Sequence, residues 1–449
     1  MKYIFSRLCL LCFYFTFLPD SKVSGIPINV FDVIKVHSSL SSEKLWPGFD
    51  IKKIPVAIYD SADTYLFFAE NPPEGFLQSD TNPGVFIYKG QHPLVRGNSI
   101  VKFGATWVAT SVLSQFSRRT QEKYSARDLA GIIIHEQFHI FQRTRHNTWR
   151  ANDGVLLFYP QESSESLFLR RIEKEAFKRA VTSNSESEMV AWALLGLEHR
   201  KKRLEILGHQ YVIYEKELQR TEGLSDYIEK KARDLDPLNA SNITNGIAPA
   251  GVRDLGYVEG RWIAFILDRL NDEWKIKLEE KENLFLEEIL SDEIAKFSPH
   301  PINFTPAEIE QIKNKAEKDL LEWGKKTNDE INGYKNSPGY SFTIISNQDP
   351  FAIRIFEPLE IVILPDGSVY HRLIFSAQNG SGSFRFMNHS CITFFDNSYR
   401  LTKVELKGLN TLPQILEDQK KLILKSENIT LELKYLDIKL INNNYNVLL

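Results

Sequence analysis

The 449 residues carry 55 Lys and Arg against 58 Asp and Glu, a formal charge of −3, with 43% hydrophobic and 25% charged residues. That balance excludes a chain disordered throughout and offers no global field to draw the protein onto nucleic acid or anionic lipid. The length exceeds what one hydrophobic core commonly organises, so two or three domains are expected.

Lys2 and Arg7 precede an apolar run from Leu8 to Leu18, and small or polar residues follow from Ser21 to Gly25. This order is that of a secretory signal over 1–25, which predicts a secreted or periplasmic protein. The run falls short of the ~20 residues a membrane-spanning helix needs, so no membrane span is expected in the mature chain. Loss of the signal removes Cys9 and Cys12 and leaves Cys391, which excludes an internal disulfide.

From 26 to 120, short β-like runs such as IPVAIYD, TYLFFAE and GVFIYKG alternate with turns at Asn71-Pro72-Pro73 and Asn82-Pro83-Gly84, predicting a mixed sheet. Between 121 and 336 the period becomes helical. Ser125 precedes a helix whose apolar set is Leu129, Ile132, Ile133, Phe138 and Phe141, and further helices are expected over 162–181, 187–231 with a break, and 258–270. Thr305-Pro306-Ala307-Glu308 is a capping box with proline at the first helical position, opening a helix toward Asn332. From 337 to 449 alternation returns, with Asp366-Gly367 marking a hairpin, and a β domain is expected. The fold class is therefore α+β: an N-terminal mixed sheet packed on a mainly helical region, followed by a C-terminal all-β domain.

Residues 131 to 142 read GIIIHEQFHIFQ. On a helix His135 and His139 share a face, so two imidazoles can meet one metal ion while Glu136 reaches a metal-bound water as general base. Zinc suits imidazole and keeps a position open for water in catalytic sites. Two histidines and a glutamate on so apolar a helix are costly unless something satisfies them, which favours a site over incidental placement.

A third ligand is offered by Glu222 in Arg220-Thr221-Glu222-Gly223-Leu224-Ser225-Asp226-Tyr227. With HExxH, the Glu222/Asp226 spacing of four resembles that of the gluzincins, the thermolysin-like zinc metallopeptidases. The resemblance implies a zincin-like catalytic region in which Glu222 completes the zinc site and Asp226 accepts the other N–H of one zinc histidine. It departs from the family in the 83 positions between His139 and Glu222, and Glu175 is a competing ligand. By analogy the strand from Phe103 to Val112 would be the edge strand that receives a peptide substrate, and Tyr257, placed before the 258–270 helix, would donate to the oxyanion.

The function expected is thus an exported zinc-dependent peptidase acting on peptides or proteins. A second reading is a non-catalytic exported binding protein or adhesin that keeps a zincin-like core, suggested by the β-rich flanks. A metal-assisted hydrolase of another ester or amide is the third. No GxSxG elbow and no phosphate-binding glycine loop occurs.

Overall fold

The computed structural model describes residues 28–40, 45–113, 124–238 and 246–449, so the expected signal over 1–25 lies outside the described residues. Among the described residues no helix is long and apolar enough to cross a membrane.

The first element, α1 (Val30–Ser39), is a helix inside the region expected to be sheet, and the Asn29 side chain caps it by accepting from the Phe31 N–H. Strands β1 (Val56–Tyr59), β2 (Thr64–Phe67), β3 (Leu77–Gln78), β4 (Phe86–Tyr88), β5 (Ser99–Phe103) and β6 (Thr106–Val112) then form one sheet in the order β3-β4-β2-β1-β6-β5. Only the β1–β6 pairing is parallel. Gly104, at φ +62°, opens the two-residue turn that pairs Phe103 with Thr106. The strand expected at the edge, β6, lies between β1 and β5, and β5 forms the edge instead.

Strand alternation gives the sheet two apolar faces. Val56, Ile58, Ile100 and Ala109 pack against α1 and the next helix, α2 (Ala126–Arg145), through Leu129, Ala130, Ile133 and Ile140. Ala57, Leu66, Val101 and Val108 fill the opposite face.

The helical region continues through α3 (Ser164–Thr182), α4 (Glu186–Glu205), α5 (His209–Leu218), α6 (Leu224–Arg233), α7 (Ala250–Leu270), α8 (Trp274–Glu280), α9 (Leu286–Ile294) and α10 (Pro306–Lys335). Its core holds Phe138, Phe177, Tyr227, Trp262 and Trp274, all buried. Both predicted starts are present: Ser125 and Thr305 each cap their helix with a reciprocal bond to Asp128 and Glu308.

Between α5 and α6 the chain passes through a π-helical turn, Gln219–Gly223, packed on α7. Glycines permit this contact. A Cβ on Gly223 would stand 2.6 Å from the Gly260 Cα, and one on Gly260 would stand 2.4 Å from the Gln219 carbonyl oxygen. Gly260→Ala is therefore expected to force the π-turn off α7, costing about 1–3 kcal/mol as overpacking does. A lowered urea midpoint would register it.

Beyond Tyr340 two sheets face each other. One is seven-stranded and the other six-stranded, and they share a core of Phe342, Val404 and Leu406 against Phe375, Phe384 and Leu431. Buried Leu156, Leu157, Tyr214, Leu218 and Val252 of the helical region belong to the same cluster. Cys391 is a buried free thiol.

Candidate metal centre

Helix α2 lies on the sheet with its apolar face inward, and Gln137 fixes its rotation. The Gln137 amide donates to the carbonyls of Ile51 and Ile54 while its oxygen meets His37 Nε2 at 2.7 Å. The neighbouring positions His135, Glu136 and His139 are thereby turned away from the sheet. Glu222 arrives from the π-turn, a helix irregularity common at functional sites.

The three expected ligands converge. His139 Nε2 lies 3.1 Å from His135 Nε2 and 3.1 Å from Glu222 Oε2, and His135 Nε2 lies 3.7 Å from that same oxygen. They are the group of His, Cys, Asp or Glu among the described residues whose ligand atoms cluster closely enough to hold an ion. Tetrahedral zinc with bonds of ~2.0–2.2 Å has ligand edges of roughly 3.3–3.5 Å, so the triangle fits zinc in size.

The hydrogen-bond pattern fits it too. Gln142 donates its amide to the carbonyls of Arg220 and Thr221, both at 3.1 Å. Its oxygen therefore accepts, and the donor is His139 Nδ1 at 3.1 Å. In the neutral ring this leaves His139 Nε2 unprotonated, with a lone pair aimed at a carboxylate oxygen and another imidazole nitrogen. His139 Nε2 and the Glu222 carboxylate are thus two acceptors facing one place beside His135 Nε2, an arrangement that a cation would satisfy. Gln142 thus serves twice, setting the tautomer of one histidine and tying α2 to the π-turn. Ser225 Oγ, which donates to the Thr221 carbonyl, adds a contact at 3.2 Å to His139 Nδ1.

Electrostatics point the same way. Burial opposes charge on His135, yet the carboxylates Glu222, Glu229 and Glu136 raise its pKa to about 10. Burial likewise works against the Glu222 carboxylate, but His139 and Arg253 hold it well below its ordinary value. Burial raises Glu136, with Glu222 and Glu229 adding to the effect. The centre favours positive charge, and Glu136 is held toward its protonated form.

Asp226 is not where the resemblance implies. It pairs with Arg261 of α7 and, at 3.3 Å, with Lys230. The carboxylate facing His135 Nδ1 is Glu229, at 3.5 Å. A spacing of four assumes an unbroken α-helix through Glu222, and the π-turn carries an extra residue that rephases the side chains of α6. Burial works against charge on Glu229, but Lys230, His135 and Arg233 hold its carboxyl well below the usual range. If the triad holds a metal ion, Glu229→Gln is expected to weaken its binding about 10–100-fold, as loss of a ligand's outer partner does. Asp226→Asn should instead lower stability by about 1–3 kcal/mol through the buried Arg261, with any metal affinity of the triad near the parent value. Chelator competition and urea unfolding of the two variants separate the roles.

Glu175, the competing ligand, lies apart and pairs with Arg179 at 3.2 Å. Tyr257 lies inside α7, which begins at Ala250 rather than at 258, and its ring runs nearly parallel to that of His135 with centroids 6.2 Å apart. Arg253, one turn earlier, donates to the Tyr257 hydroxyl at 3.2 Å and lies 3.4 Å from Glu222 Oε1 and 3.2 Å from Asp153. Tyr214 in turn donates to Asp153. One Glu222 oxygen thus faces the histidines and the other faces Arg253.

Gln142, Ser225, Glu229, Arg253 and Asp153 were not identified from the sequence. Gln142 alone had a usable signal, since three residues after His139 places it on the ligand face of α2. Comparison of the chain with protein-family models, curated proteins and solved structures returns no match.

Proposed function

We propose that the protein is an exported zinc-dependent metallopeptidase of gluzincin type. The observation supporting this most directly is the convergence of His135 and His139 with Glu222, from a separate helical segment, in a cleft that Glu136 also lines. Zinc bound there would polarise a carbonyl and lower the pKa of a water toward about 7.

The protein's own groups would do the rest. Glu136 takes the proton of the attacking water and returns it to the leaving amine, and the burial that raises its pKa suits it to both acts. Tyr257, whose ring lies beside His135 and whose hydroxyl accepts from Arg253, is the nearby donor that would serve the carbonyl oxygen as it gains charge. Among the described residues no strand pairs with the outer edge of β5, which contributes Ile100 to the cleft, so an extended peptide would add to the sheet next to the triad.

The test is metal analysis of the purified protein followed by cleavage of a diverse peptide library. Expected are near-stoichiometric zinc, cleavage lost on chelation, and recovery on adding zinc back. A zinc-loaded protein that cleaves nothing in the library would overturn the peptidase assignment.

A further inference from the structure

Resting on the metal-centre reading, we propose that Asp153 is a positioning residue: by sharing the Arg253 guanidinium with Glu222, it keeps Glu222 Oε2 turned toward the two imidazoles.

Arg253, Asp153 and Glu222 are all buried, so their pairing is little screened. Arg253 and Tyr257 stand one turn apart on α7, and Arg253 Nη1 donates to the Tyr257 hydroxyl at 3.2 Å. Nη2 faces two carboxylates, Asp153 Oδ2 at 3.2 Å and Glu222 Oε1 at 3.4 Å. A guanidinium and a carboxylate pair most strongly through two parallel bonds. Such a fork on Glu222 would take both of its oxygens, including the Oε2 that lies 3.1 Å from His139 Nε2. Asp153 stands against that closure, because it competes for Nη2 at the shorter distance.

Two elements fix Asp153 in place. It opens the short 3-10 helix Asp153–Phe158, which Asn152 caps by accepting from the Gly154 N–H, and Leu156 and Leu157 of that helix are buried in the cluster of the sandwich. From α5, the Tyr214 hydroxyl donates to Asp153 Oδ1 at 2.8 Å, while Oδ2 faces Arg253. Charge makes the sharing consequential. Burial raises the Asp153 carboxyl, with Arg253 opposing and Glu222 adding to the rise. Glu357, from the sandwich, is a third carboxyl near Arg253: burial raises it to about 6, against the Leu359 N–H and the charge of Arg253. Glu136 lies on the histidine side, where His135, His139, Glu222 and Glu229 act on it. Neutralising Asp153 would therefore leave Glu222, whose carboxyl is held well below its ordinary value, with the stronger pull on Arg253.

The test is chelator competition for zinc and the visible spectrum of the cobalt-loaded full chain, which reports the ligand set, with urea unfolding alongside. Asp153→Asn keeps the shape of the side chain and an acceptor for Tyr214 but gives up the charge. It is expected to weaken zinc binding about 10–100-fold, as loss of a ligand's outer support does, and to shift the cobalt bands. Adding Arg253→Gln removes the competitor for Glu222. The double variant should then bind zinc more tightly than Asp153→Asn, even as its urea midpoint falls further, whereas a merely structural Asp153 would give losses that accumulate.

Parent-like zinc affinity and cobalt spectrum in Asp153→Asn would overturn the inference and leave the metal centre standing. A double variant that binds zinc more weakly than the single one would do the same. A parent chain that takes up neither ion overturns both. If Asp153→Asn does not fold, Tyr214→Phe decides: loss of the hydroxyl that holds Oδ1 should shift the cobalt bands and weaken zinc binding, and an unchanged spectrum overturns the inference.

Discussion

Glu136→Gln is expected to keep zinc at the parent level while kcat/KM falls by about 10²–10⁴-fold, the usual worth of a positioned acid–base group. The reason is the separation of tasks around α2. The nitrogens of His135 and His139 meet Glu222, whereas Glu136, adjacent in sequence, faces the cleft and is absent from the ligand triangle. Gln preserves size and polarity but cannot accept the water's proton. Relieving a buried carboxylate whose pKa is raised should also make the variant no less stable than the parent. Paired measurements of zinc content and peptide turnover check it, and unchanged turnover would remove Glu136 from the mechanism.

Glu222→Gln should act on the other half of the site. An amide oxygen is a poor replacement for the carboxylate that lies 3.1 and 3.7 Å from the two imidazoles. Zinc affinity is expected to fall by more than the roughly 10–100-fold that loss of an outer partner costs, and turnover with it. Arg253, 4% exposed, would keep Asp153 as its partner, so the fold should survive. Glu175→Gln is the control: its partner is the half-buried Arg179, which also pairs with Glu308 of α10, and zinc content should not change. Zinc lost in Glu175→Gln and retained in Glu222→Gln would invert the ligand assignment.

Legibility in the sequence tracks the range of the interaction involved. His135, Glu136 and His139 sit within five residues on one helix, so local periodicity alone sets them together. The caps at Ser125 and Thr305 are local too, and both occur as expected. The α+β layout with its helical middle and β-rich end came from hydrophobic period. Asp226 misled because its assignment assumed a continuous helix, and nothing in Gln219-Arg220-Thr221-Glu222-Gly223 announces a π-turn. That turn depends on Gly223 meeting Gly260 and on Gln142 bonding its carbonyls, contacts between segments distant in the chain. Glu229, Arg253 and Asp153 were hidden for the same reason. The sheet edge was misplaced because strand order, unlike strand existence, is a property of pairing: β6 finds β1 on one side and β5 on the other.

The C-terminal sandwich shares its largest apolar cluster with Leu156, Leu157, Tyr214, Leu218 and Val252. Tyr214 is the donor to Asp153, Leu218 immediately precedes the π-turn, and Val252 adjoins Arg253. Cutting the chain after residue 336 would strip the backing from three supports of the ligand carboxylate at once and leave oily surface facing water. Such a truncation should aggregate, so the sandwich is a buttress of the helical half and of the triad it carries.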